Sequence, residues 1–262
     1  VLGASMNFRA RMTASSRHVL SLIVVSAAVL FAIDGRAQNR DALRQIVEDR
    51  CVPHWLHEHT AAPCESVYVV DGSQPLQGYA VLADAKGGAH FLLIPANTVA
   101  GIESPDILKP DAPNYFAGAW QARERIATVV GHDVRRGDIG LAINSQQHRS
   151  QDQLHIHIEC LGKDVHRVLQ AAADRLTGHW TPVTIDGWQY QGMRVMGEDL
   201  KEINPFALLA ERMPGAMEDM GAHTLMVAGM QFRDGAGFVL LAGKNVPGTE
   251  VLLDSTCAVA RR

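Results

Sequence analysis

Residues 154–160, Leu-His-Ile-His-Ile-Glu-Cys, alternate apolar and polar side chains without a break. A period of two fits a β-strand and does not fit a helix, so this stretch commits the chain to a sheet with one face in a core. Leu154, Ile156 and Ile158 belong to that core, and His155, His157 and Glu159 face a cleft on the other side. Imidazoles serve as nucleophiles and as metal ligands near neutral pH, so two of them beside a carboxylate point to phosphoryl transfer or to metal binding.

The rest of the chain supplies enough material to surround such a strand. With 262 residues, 47% hydrophobic and 20% charged, it can bury a large core as one domain or as two closely packed halves. A net charge of −4 offers no basic field to a nucleic-acid backbone, which argues against that class of partner.

Beyond residue 38 the patterns mix helix and strand. Leu43, Ile46, Val47 and Cys51 mark an amphipathic helix opening after Asn39 or Asp41, and 67–70, 78–82 and 89–94 read as successive strands. Asn114 caps a helix that buries Phe116, Ala119, Trp120, Ile126, Ala127 and Val130 and stops at Gly131. Strands 139–144 and 154–160 flank a polar loop, and Val165, Val168, Leu169, Ala172 and Leu176 line a helix stopped by Gly178. Asn204 and Pro205 open a further helix, interrupted by Pro214 and continued through Met217 and Met220, with strands at 224–228 and 238–242. Met193, Met196, Met213, Met217, Met220, Met226 and Met230 read as core filling ahead of an acyl-chain site. The likeness of 88–94 to 235–241 suggests that the second half is a degenerate copy of the first, without its histidines.

Arg9, Arg11, Arg17 and His18 precede an uncharged run, 19–33, broken only by Ser21 and Ser26. That is the layout of an export leader. At about 1.5 Å per residue the run spans about 22 Å, short of a hydrocarbon core of about 30 Å, which favours a cleaved signal peptide. The small-residue cleavage sites at 26–28 and 35–37 are poor, so an uncleaved anchor over 1–37 stays open. Export makes disulfides the default for Cys51, Cys64, Cys160 and Cys257. Three pairings exist; the short spacing favours Cys51 with Cys64, leaving Cys160 with Cys257. His54, His57 and His59 lie in the Pro- and His-rich segment between the first two cysteines, in a spacing that matches no zinc finger, and read as a solvated turn.

Several motifs occur in one order: Gly101-Ile-Glu-Ser-Pro, Ala119-Trp-Gln-Ala-Arg, Leu141-Ala-Ile-Asn-Ser, Arg149-Ser-Gln-Asp-Gln and Leu154-His-Ile-His-Ile. Together they resemble the bacterial CDP-diacylglycerol pyrophosphatase family, within the histidine triad (HIT-like) superfamily. The resemblance implies an α+β, HIT-like fold, an antiparallel sheet with packed helices, over 38–262, with a catalytic half at about 38–178 and a second half at 179–262. It implies hydrolysis of a liponucleotide diphosphate to CMP and phosphatidate through a nucleotidyl-histidine, without a cofactor or metal. The enzyme would sit at the inner membrane, facing the periplasm and touching membrane lipid, or be secreted to the periplasm after cleavage.

The superfamily pattern has three alternating positions whose middle histidine attacks. Here Gln153 precedes the two histidines and Glu159 follows them, so the register has two solutions. If Gln153 holds the first position, His155 attacks; if Glu159 holds the third, His157 does. Superfamily members commonly place a phosphate-site Asn thirteen residues before the nucleophile, and Asn144 stands thirteen before His157, which favours His157. The resemblance further implies that Asn144, Ser150 and Gln151 donate to phosphate oxygens or to the nucleophile's ring. The competing readings are a nucleotidyltransferase using the same intermediate, a metallohydrolase built on His155, His157 and Glu159, and a non-enzymatic periplasmic binding module.

Overall fold

Two antiparallel strand pairs, 139–143 with 156–161 and 223–232 with 235–244, meet edge to edge at the centre of the computed structural model, which describes residues 39–261. The leader expected at 1–37 lies outside the described residues. Helix α1 (Ala42–Ile46) passes through a π-turn (Val47–Cys51) into α2 (Val52–Glu58), so His54 and His57 are helical where a turn was expected. The widened turn ahead of Pro53 gives its ring room and absorbs the missing N–H.

The chain then forms β1 (Ser66–Val70), β2 (Gln77–Ala83) and β3 (Phe91–Pro95) as a meander, followed by α3 (Tyr115–Ala122) and α4 (Glu124–Val130). Asn114 Oδ1 accepts from Ala117 N–H to start α3, and Gly131 ends α4 in the left-handed region at φ 80°. Next come β4 (Ile139–Ile143), β5 (Ile156–Leu161) and α5 (Lys163–Ala172). The second half holds β6 (Thr181–Ile185), β7 (Trp188–Met196), α6 (Pro205–Arg212), β8 (His223–Phe232) and β9 (Gly235–Lys244), with a short β10 (Leu253–Asp254) in the tail.

All strands pair antiparallel in the order β1-β2-β3-β5-β4-β8-β9-β7-β6, with β10 beside β5. The two halves meet at the β4/β8 seam, where Leu141 lies opposite Val227. Outward from the seam the order is β4-β5-β3-β2 on one side and β8-β9-β7-β6 on the other. Sheet position therefore matches β9 to β5, whereas the likeness of 88–94 to 235–241 matched it to β3.

Alternation decides what covers each face. On one face Leu93, Leu141, Ile156, Ile158, Leu225, Val227 and Leu240 join Phe116, Trp120, Phe206 and Leu209 of the helices in a continuous core. On the other face Val47, Cys51 and Val52 cover Val67, Ala80, Leu92 and Ile94. Helix α5, entered directly from β5, crosses to the second half, where Val165, Leu169 and Leu176 pack on Val183, Tyr190, Val239 and Leu241. The tail makes the reverse crossing, since Leu253 pairs with Leu161 of β5. Between these covers, over β3 and β5, lies the histidine face.

The β6/β7 hairpin was not anticipated. Its turn, Asp186-Gly187, has φ 50° and 81°, the left-handed pair that such a hairpin needs. After α6 the helix does not resume: Met217 is exposed, and Met220 opens only a single 3₁₀ turn. Met193 and Met220 fill one core and Met226 and Met230 the other.

Candidate active site

β5 presents His157 and Glu159 on one face, with His155 in extended chain just before it, all three nearly inaccessible to solvent. Leu154, Ile156 and Ile158 enter the core behind them, as the alternation requires. His157 pairs across the ladder with Leu92, which brings His90, two residues earlier, to the same face. His90 Nε2 lies 2.9 Å from His157 Nδ1 and 3.2 Å from Glu159 Oε1. His90 Nδ1 stands 3.6 Å from Asp84 Oδ1, the carboxylate at the start of the turn before β3.

The tail completes this face. Glu250 brings its Oε2 to 3.1 Å from His157 Nε2, at an angle that leaves this nitrogen buried without a hydrogen bond. Glu250 is held from two directions: its N–H donates to Asn144 Oδ1 at 3.3 Å, and the preceding Thr249 is buried with its hydroxyl against Ile143 O and Thr224 Oγ1. Gly88, at φ 75°, lets the tail approach; a Cβ there would stand 2.7 Å from Ser255 O. The Cys160–Cys257 disulfide fixes the tail's end beside Glu159, and Cys51–Cys64 ties α1 and α2 to the sheet, both as expected.

His155 is set differently from His157. Its Nδ1–H donates to Gln153 O at 2.7 Å. A carbonyl can only accept, so the ring carries its proton on Nδ1 and the lone pair on Nε2. Burial disfavours the imidazolium and lowers the pKa of His155 and His90; His157 is driven further down by burial and by the two neighbouring rings. Burial, reinforced by Asp84 and Glu250, pushes Glu159 up to about 8. The site thus holds neutral imidazoles and a protonated carboxyl at neutral pH.

The sequence profile of the CDP-diacylglycerol pyrophosphatases matches residues 38–261. The chain belongs to the CDP-diacylglycerol pyrophosphatase family. A CDP-diacylglycerol pyrophosphatase from Yersinia pestis is 39% identical over 249 residues, covering 92% of each chain.

In this member of the family the residues singled out in the sequence divide into two groups. His155, His157, Glu159 and, through Glu250, Asn144 are brought together. Gln153, fully buried, donates to Pro95 O and Asn97 O and accepts from Val99 N–H, so its side chain staples the strand to the loop after β3. Gln151 accepts from Leu43 N–H and donates to Asn39 O, which holds the start of α1. Ser150 is exposed. Arg149 spans Glu103, at 2.5 Å, and Asp152, at 3.0 Å, and Gly101 leaves room for its guanidinium, so these motif residues fix the loop before β5. His90, Asp84 and Glu250 were missed. They come from distant segments, and only the His before the 91–94 apolar run was a visible signal.

Proposed function

We propose that this protein hydrolyses CDP-diacylglycerol to CMP and phosphatidate, with His155 as the nucleophile. The family membership supports the reaction, and one observation carries the residue assignment: the Gln153 carbonyl holds the proton of His155 on Nδ1, which leaves Nε2 free to attack. His157 has Nδ1 engaged by His90, and its Nε2, buried without a hydrogen bond, faces Glu250 rather than open space. On this reading Gln153 holds the altered first position of a HIT-like triad, and His155 replaces the His157 favoured by the Asn144 spacing.

In the first step Nε2 of His155 attacks the phosphorus of the CMP moiety in line. The P–N bond forms as the bridging P–O bond breaks, and phosphatidate leaves with the electron pair. A neutral imidazole approaches the diphosphate without charge repulsion, and a protonated Glu159 spares the site another negative charge. In the second step water attacks the same phosphorus, the P–N bond breaks, and the electron pair returns to Nε2. His157, between His90 and Glu250, takes the proton that the water releases.

Both disulfides support an exported protein, since such bonds persist in oxidising compartments. Among the described residues no helix is long and apolar enough to cross a membrane. The leader at 1–37 is the segment we assign to export and to the bilayer in which the substrate resides.

The test is a quench of the full chain with labelled CDP-diacylglycerol in mixed micelles, followed by product analysis and mapping of an acid-labile, alkali-stable adduct. CMP and phosphatidate as products, with label on His155, support the assignment. Label on His157 would restore the spacing argument, and release of label without any adduct would favour direct attack by water.

A further inference from the structure

We propose that His90 Nε2, His157 Nδ1 and a Glu159 carboxylate oxygen form a binding site for a divalent transition-metal ion of the zinc class, distinct from the nucleophile. The three donor atoms lie within 4.8 Å of one another. Two of their separations are 2.9 and 3.2 Å. Zinc ligands held at about 2.0–2.2 Å in a tetrahedron stand about 3.4 Å apart, so those two need to move only by tenths of an ångström. The third, between His157 and Glu159, is at most 4.8 Å.

The chemistry of the set is equally suited. Two imidazoles and a carboxylate are a donor combination that zinc accepts, and three protein ligands leave a fourth position for water. All three residues are buried, where an unneutralised carboxylate is costly. Asp84, 3.6 Å behind His90 Nδ1, stands where an outer carboxylate orients a ligating histidine and raises its basicity. Two further carboxylates stand against the ligands, Asp84 at 3.6 Å from His90 and Glu250 at 3.1 Å from His157, so a cation enters beside surplus negative charge. On binding, the ion takes the lone pairs of His90 Nε2 and His157 Nδ1 and one carboxylate oxygen, and the protons held there pass to solvent. His155 takes no part, because it is not among the residues whose donor atoms converge within 4.8 Å.

The experiment uses the metal-free, disulfide-bonded full chain without an affinity tag, titrated with Zn²⁺ by calorimetry and with Co²⁺ by visible absorption. The expected result is one ion per chain, with the intense Co²⁺ bands of low coordination number. His90→Gln and Glu159→Gln should each weaken binding by about 10–100-fold or more, and Asp84→Asn by about 10-fold. His155→Ala should keep the site, as should His57→Ala/His59→Ala, which removes the competing surface histidines. Circular dichroism establishes that each variant is folded; should His90→Gln fail to fold, Glu159→Gln and Asp84→Asn decide. No stoichiometric binding by the wild-type chain, binding indifferent to Glu159→Gln and Asp84→Asn, or binding lost in His57→Ala/His59→Ala would overturn the proposal. Binding is read directly, so the result stands whichever histidine attacks.

Discussion

Removing the two disulfides separately should have unequal effects, in stability and still more in catalysis. Cys160 and Cys257 are 97 residues apart and Cys51 and Cys64 only 13. If the bridges act by restricting the unfolded chain, the long loop contributes about 4.7 kcal/mol and the short one about 2.9, a difference of about 1.8 kcal/mol. All four cysteines are buried, so changing each pair to alanine adds a similar packing cost on both sides and leaves the difference intact. Catalysis separates the variants further. The Cys51→Ala/Cys64→Ala protein keeps every group of the histidine face, whereas Cys160→Ala/Cys257→Ala frees the tail that carries Glu250 to His157. Urea unfolding followed by tryptophan fluorescence gives the stabilities, with the m-value rising in both variants as the unfolded chain expands. CMP release in mild buffer gives kcat. Equal destabilisation, or equal kcat in folded samples of the two variants, would refute the reasoning.

Gln153→Leu removes three hydrogen bonds from a fully buried position and strands Val99 N–H and two carbonyls; thermal unfolding should show a loss of about 3 kcal/mol or more. Thr249→Val keeps the shape but empties the hydroxyl contacts to Ile143 and Thr224; kcat should fall several-fold while KM changes little, as steady-state kinetics would reveal. The rate of adduct formation should fall as pH drops, because protonation removes the His155 lone pair. Burial lowers that pKa, so in a rapid-quench profile the fall should come below the ordinary imidazole value of about 6.5. With a chelator present, CMP release should persist, since the attacking atom is an imidazole nitrogen; complete loss restored by zinc alone would favour a metallohydrolase.

The parts of this protein governed by local periodicity could be read in advance. Residues 154–160 alternate as a half-buried strand must, and Asn114 and Gly131 bound their helical segment. The β6/β7 hairpin escaped because Pro182 breaks the first strand's pattern and the apolar positions of the second change parity at Gly192-Met193, although Asp186-Gly187 was a turn signal in plain view. The histidine face was half legible. A polar residue in a loop looks the same whether it waits for a phosphate or satisfies a backbone group, which is why Gln151 and Gln153 resembled ligands while serving as staples. His90, Asp84 and Glu250 reach the site through the β3/β5 register and the tail's return, and nothing within a dozen residues of His157 encodes either.

The two crossings have a consequence for how the protein comes into being. Helix α5 leaves the histidine strand to roof the second half, and the tail returns at the very end of the chain to supply Glu250 and Cys257 to the first. A ribosome that has made everything up to Lys244 has therefore produced every histidine of the site but neither its last carboxylate nor the cysteine that clasps it. The site should therefore be completed only when residues 250–257 dock on the first half and their disulfide closes, long after the strand bearing His157 has been made.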